Sequence, residues 1–123
     1  MRKTIECKLV VSSDIDGNKD NTVVEGKGYY KDDNDEIVIY FSSENIKYKY
    51  IYSNNILKVY CNDSCYNFTL NKNNKGIIKS GNYEIEITTL AYKIDIFDNI
   101  INLDYELKQG GILIGKYFTS LSF

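Results

Sequence analysis

The chain has 123 residues, a length that suits one domain built around one core. Its 43% hydrophobic and 26% charged residues exclude a disordered chain, and a net charge of -2 argues against the concentrated basic face of a nucleic-acid binder. Histidine is absent, which excludes imidazole base catalysis and His-ligated metal; Pro and Trp are also absent, while Tyr occurs 12 times.

The opening MRKTIECKLVV interrupts its apolar residues with Glu6 and Lys8, so it lacks a signal-peptide core. No run approaches the roughly 20 apolar residues of a membrane helix. The expected compartment is the cytoplasm, where thiols stay reduced, with no membrane partner.

Along the chain, period-two alternation dominates and helical periodicity is nearly absent, which predicts half-buried strands. In the first strand Ile5, Cys7, Leu9 and Val11 share one face. IKYKYIY places Ile46, Tyr48, Tyr50 and Tyr52 opposite Lys47, Lys49 and Ile51. YEIEIT aligns Tyr83, Ile85 and Ile87, YKIDI aligns Tyr92, Ile94 and Ile96, and INLDYEL aligns Ile101, Leu103, Tyr105 and Leu107. Turn residues separate these runs at 12–21, 31–36, 42–45, 53–55, 62–65, 71–76, 79–82, 97–99 and 109–111. Turns at such short spacing predict an all-β fold, read as a single antiparallel meander β-barrel of about ten short strands over residues 1–123. Closing the meander removes both exposed edges, which favours the barrel over a sandwich.

The segment CNDSC (61–65) could be a redox pair, part of a metal site, or a turn. If Cys61 opposed Cys65, both faces of the hairpin would mix apolar and polar residues. Placing Cys61 opposite Tyr66, Val59 opposite Phe68 and Leu57 opposite Leu70 makes one face wholly apolar, and register follows the apolar face. Cys61 then points into the core and Cys65 belongs to the turn. Their side chains diverge too far for a disulfide, whose Cβ atoms lie about 3.5–4.5 Å apart. A zinc site would need Cys7 to converge as a third thiolate, and the set is otherwise too small.

Three further motifs nearly match known sites. GGILIGKY (110–117) has the G-x-x-x-x-G-K spacing of a phosphate loop, but Tyr117 stands where Ser or Thr is needed and no helix follows. It reads as a Gly-Gly turn into the last strand. DIDGNKDNTVVE (14–25) puts Asp14, Asp16, Asn18 and Glu25 at calcium-ligand positions, but Lys19 replaces the required glycine and both flanks read as strands. It reads as an acidic hairpin loop, as does KDDNDE (31–36). Tyr48, Tyr50 and Tyr52 beside Lys47 and Lys49 could stack single-stranded nucleic acid, a reading the overall acidity opposes.

The second half, GNYEIEITTLAYKIDIFDNIINLDYELKQGGILIG, resembles the C-terminal half of the YwiB-like family of small bacterial proteins. The resemblance rests on Gly81 before an alternating strand, Thr89, Leu103-x-Tyr105-x-Leu107 and the Gly-Gly turn, with Glu25–Lys31 and Ile39–Phe41 matching earlier strands. Cys61 and Ser80 depart from that family's Arg-containing hairpin and Pro. The resemblance implies a closed calycin-like barrel. It implies no activity. Calycins often hold small apolar molecules inside the barrel, although the lipocalin Gly-x-Trp signature is absent because the chain has no Trp.

The expectation is a non-enzymatic binding module for a small apolar or amphipathic ligand. The alternative is an accessory protein with a side-chain-filled barrel that works through its surface, for which a homodimer is one arrangement. No catalytic residue, metal ligand or cofactor is expected, and no individual ligand contact is assigned.

Overall fold

The computed structural model describes residues 2–123; Met1, included in the domain read from the sequence, lies outside them. Among the described residues there are ten strands and no helix. They are β1 (Arg2–Ile15), β2 (Asn18–Asp33), β3 (Glu36–Ser43), β4 (Ile46–Ser53), β5 (Ile56–Cys61), β6 (Ser64–Thr69), β7 (Asn73–Ser80), β8 (Tyr83–Phe97), β9 (Ile100–Gln109) and β10 (Ile112–Ser122). Each strand pairs antiparallel with the next, and β1 pairs with β10, so the meander closes into a barrel. No helix among the described residues is long and apolar enough to cross a membrane.

The turns are tighter than the sequence suggests. Asp16–Gly17, Asn34–Asp35, Asn54–Asn55, Asp98–Asn99 and Gly110–Gly111 have both residues at positive φ, the requirement of two-residue type I′ hairpins. Asn, Asp and Gly tolerate that conformation best. The polar stretches 12–21 and 31–36 are therefore mostly strand, with only two residues of turn in each. As a result β1, β2 and β8 are long, at 14, 16 and 15 residues, rather than short. The long β1–β2 hairpin crosses the barrel obliquely: β1 meets β10 over Lys8–Asp14, whereas β2 meets β3 over Lys27–Asp33.

Two register shifts change which residues face inward. One lies between Ala91 and Lys93 of β8, and the other between Leu113 and Gly115 of β10. A bulge adds one residue and so exchanges faces. Ile87, Thr89 and Ala91 are buried before the β8 bulge, and Ile94 and Ile96 pack on the core after it. Tyr92 is the extra residue and is half exposed, not aligned with Ile94 and Ile96 as its spacing predicts. Tyr83 and Ile85 also depart from the expected buried face. The β7–β8 hairpin projects beyond the last β8–β9 pair, Thr88–Lys108, and leaves both exposed.

The β6–β7 seam is the least regular part of the barrel, pairing directly only at Cys65–Ile77 and Tyr66–Gly76. Side chains bridge the remainder. Ser64 Oγ accepts from Lys79 N–H at 2.9 Å, and Asn67 Nδ2 donates to the Lys75 carbonyl at 3.0 Å. Buried Thr89 donates to the Asn67 carbonyl. Asn74 Nδ2 is buried nearby with no partner.

The end of the barrel nearest the β2–β3 and β4–β5 turns is filled. Ile39, Leu57, Ile101 and Leu121 are essentially inaccessible there. Tyr30 and Phe123 stack at 5.5 Å. This end is called the lower end below, and the end holding the β3–β4 and β5–β6 turns the upper end.

Candidate functional site

Above the packed lower half, the barrel keeps an internal chamber of about 170 Å³. Its walls come from β1, β4, β5, β6, β9 and β10, and include Val11, Tyr48, Cys61, Tyr66, Tyr105 and Thr119. No charged side chain lines it. These six residues face inward yet stay only partly buried, apart from Thr119, because part of their surface borders the chamber.

Two aromatic stacks form opposite walls. On one side Phe41 stacks on Tyr48 at 4.7 Å with the rings 10° apart, and Tyr50 lies beside it. On the other, Tyr105 stacks on Tyr117 at 5.1 Å and tilts against Phe68 at 4.6 Å. The strand pleat explains both, since alternate residues of β4 (48, 50) and of β9 and β10 (105, 117) project to the same inner face.

The polar ends of these side chains converge. Burial pushes the Tyr105 hydroxyl well above the usual phenol range, and Tyr50, Tyr66, Tyr117 and Cys61 add to that shift. Tyr50 is raised in the same direction by burial and then by Tyr48, Cys61 and Cys7. Cys61 is raised by burial, and the buried Cys7 thiol is pushed up to about 11 by the same cause. The chamber is thus a neutral pocket of phenols and a protonated thiol. Near neutral pH it supplies hydrogen-bond donors and acceptors, but no ready base or nucleophile.

Raised acid pKa values make stability depend on alkaline pH with a definite sign. A group whose folded pKa lies above its unfolded value contributes fully below the unfolded value, and that contribution is lost as pH rises through the folded one. For Cys7 the window opens at the ordinary thiol value of 9.0 and runs to about 11. Tyr50 and Tyr105 extend the loss to higher pH. We expect stability to fall from about pH 9 upward, with Tyr50 and Tyr105 ionising together with unfolding. Tyrosinate absorbance and circular dichroism recorded in one titration check this. A smooth absorbance curve with no step at the unfolding transition would contradict it.

The structure sorts the sequence motifs. Cys61 faces the chamber and Cys65 faces outward, and all three cysteines are free. The hairpin register is tighter than expected. Leu57 opposes Phe68, Val59 opposes Tyr66 and Cys61 opposes Ser64, so Cys65 pairs with Tyr60 within β6 and is not part of the turn. The turn is only Asn62–Asp63, with Asn62 at φ 53°. Asn62 is tied to Lys47 of β4 twice, its N–H donating to the Lys47 carbonyl at 2.8 Å and its Oδ1 accepting from Lys47 N–H at 2.9 Å. Because the register moves by two residues, Leu57, Val59, Cys61, Tyr66 and Phe68 keep their predicted inward face, whereas Leu70, expected on that face opposite Leu57, lies beyond the end of β6 and is 46% exposed.

The 14–25 segment is a straight hairpin. Asn18 and Glu25 lie seven residues apart on one strand, about 23 Å, so they cannot share an ion. Gly110–Gly111 is a turn into β10, as read from the sequence. KDDNDE forms the tip between β2 and β3. Tyr48, Tyr50 and Tyr52 pack on the core, leaving Lys47 and Lys49 outside. Among the described residues no group of three or more His, Cys, Asp or Glu could hold a metal.

Two features escape sequence reasoning. Tyr66 and Tyr105 join Tyr48 and Tyr50 in one chamber, though they come from separate strands. Glu106, at an outward position, is 6% exposed. It takes an ion pair from Lys108 at 3.3 Å, and the Tyr92 hydroxyl beside it holds its carboxyl below the usual range. The bulge that turns Tyr92 outward makes this contact, and alternation alone gives no sign of it.

No protein-family model matches the chain, and no curated protein matches it in sequence. Its structure is similar to the crystal structure of the ywiB protein from Bacillus subtilis. The TM-score is 0.73 at 13% sequence identity, over 98% of this chain and 92% of that one. At that identity the likeness carries the fold and nothing further. The chain has a YwiB-like fold: one closed, all-antiparallel barrel of ten strands.

Proposed function

We propose that the protein is a binding module that holds one small, neutral, planar molecule in the upper chamber. The observation that carries this is the convergence of phenol hydroxyls and one thiol, without any charge, between two aromatic walls. A cavity of similar size lined by apolar side chains takes benzene, so 170 Å³ suits a ligand of about seven to ten non-hydrogen atoms. Aromatic walls favour a flat ring in offset contact. The hydroxyls favour one or two polar atoms at its edge, and a charged ligand would enter without a counter-charge. Binding is preferred to catalysis because every shifted thiol or phenol in the chamber is shifted toward its neutral form. Three free thiols support a reducing compartment such as the cytoplasm.

Ligand-observed NMR tests the proposal, with phenol and benzoate as a matched neutral and charged pair. Phenol is expected to bind and benzoate not. Val11→Phe should fill the chamber and abolish phenol binding while leaving the melting temperature within a few degrees. Equal binding of both probes, or binding unchanged in a folded Val11→Phe protein, would refute the reading. A second reading, action through the surface, draws on the exposed Tyr83, Ile112 and Leu113 around the upper hairpins and predicts no binding of either probe.

A further inference from the structure

We propose that the protein pairs with a second copy of itself along the upper edge of β2, in one defined antiparallel register. Residues Asn18–Gly26 of β2 pair with β1 alone, because β3 joins β2 only from Lys27–Ser42 downward. The barrel is therefore closed in its lower part and carries a free edge above. Asn18–Val23 are exposed, Val23 by 55%. A gap of about 430 Å³ separates Val23–Glu25 from the β3–β4 hairpin.

The hairpin geometry sets which backbone groups are free. In a two-residue hairpin the pair flanking the turn, here Ile15 and Asn18, exchanges hydrogen bonds, and bonded pairs then alternate along the ladder. The backbone groups of Asn18, Asp20, Thr22 and Val24 thus point to β1. Those of Lys19, Asn21, Val23 and Glu25 point away, toward the open side. Such an edge is a template for another strand. It has no proline and no bulge to blunt it. One of its amides, Asn21 N–H, is capped by the neighbouring Asp20 carboxylate at 2.9 Å.

The occupant follows from the sequence of this edge, NKDNTVVE. In an antiparallel pair of identical strands only registers that match odd with odd residues align these free groups. A two-fold axis at Thr22 does so. It sets Asn21 opposite the partner's Val23 and Lys19 opposite the partner's Glu25, with each pair occurring twice. The two threonines then face each other, a favourable cross-strand pair. Moving the axis to Val23 sets Lys19 against the partner's Lys27. Moving it to Asn21 sets Lys19 against the partner's Val23 and loses both ion pairs. Neither Lys19 nor Glu25 forms an ion pair within the molecule among the described residues. Glu44 borders the same gap and adds a second carboxylate beside the partner's Lys19. A self-complementary charge pattern at matching backbone positions identifies a second copy as the partner.

Sedimentation equilibrium on the full chain tests this. The expected result is a reversible dimer at twice the 14.2 kDa chain mass, weakening as salt rises. Val23→Pro removes an amide that points to the open side and leaves the β1 ladder intact. It should yield a folded monomer. Lys19→Glu places like charges opposite each other twice and should weaken the dimer roughly tenfold. Lys19→Glu with Glu25→Lys should restore it. A wild-type chain that stays monomeric at every concentration overturns the proposal, as does a folded Val23→Pro protein that still dimerises. Should Val23→Pro fail to fold, the charge swap decides, and a double variant no tighter than the single one rejects this register. The chamber plays no part in these outcomes, so the ligand reading stands or falls separately.

Discussion

Replacing Gly28 with alanine is expected to keep β2 from closing onto β3, leaving a chain with no cooperative melting transition. Gly26 and Gly28 occupy inward-facing positions where β2 bends across β3. A Cβ at Gly28 would stand 1.6 Å from the Tyr40 carbonyl oxygen and 2.6 Å from Phe41 Cα. Favourable contact between heavy atoms begins at about 3.5 Å, and both obstacles are backbone, so no side-chain rotation relieves the clash. Relief requires the strands to separate, which breaks the ladder from Lys27 to Asp33. The expected cost exceeds about 4 kcal/mol, in the range reserved for exceptional single substitutions. It is comparable to the whole stability of a small domain, about 5–15 kcal/mol. Gly17→Ala is the matched control. Nothing lies within 4 Å of its added methyl, and the only penalty is a φ of +82°, worth about 1–2 kcal/mol. Urea denaturation of the two variants separates the cases. Similar midpoints for both would mean that β2 and β3 are not packed this closely.

Phe41→Ala is expected to cost about 3–5 kcal/mol. Phe41 is completely buried and fills the space that Gly26 leaves open, its Cδ2 lying 3.2 Å from where a Gly26 Cβ would sit. It also backs the stack formed with Tyr48 and Tyr50. Truncation removes the transfer free energy of the ring and leaves a void that the stiff neighbouring strands cannot collapse into. Tyr48 would lose its support, so phenol binding in the chamber should weaken together with stability. A loss below about 1 kcal/mol would place Phe41 outside the close-packed core.

Much of this architecture is legible in the chain because its causes are local. Asn or Asp beside Gly or a second Asn or Asp marks most hairpins, since few other residues accept positive φ there; Glu44–Asn45 and Gly110–Gly111 are exceptions. Alternation in INLDYEL assigns Ile101, Leu103 and Leu107 to the core without reference to any other strand. The CNDSC hairpin shows where this stops. The apolar face predicts correctly that Cys61 points inward, but not that the turn has two residues. That is decided by Asn62 bonding to Lys47, fifteen positions earlier. The bulge at Tyr92 is equally invisible. It arises where β8 and β9 must bend together around the barrel, and nothing in YKIDI announces it.

Local pattern alone decided that this is an antiparallel all-β chain, where most of its turns fall, and which face most residues occupy. Side-chain alternation and turn conformation depend only on neighbours along the chain. The closed barrel decided the rest. The Phe41 ring packs over Gly26 of the adjacent strand, and four tyrosines from β4, β6 and β9 meet in one chamber. The upper half of β2 pairs with β1 but is left without a neighbour on its other side, because the β1–β2 hairpin lies obliquely. Each of these depends on strand tilt and register around the whole barrel, through contacts between residues far apart in the chain.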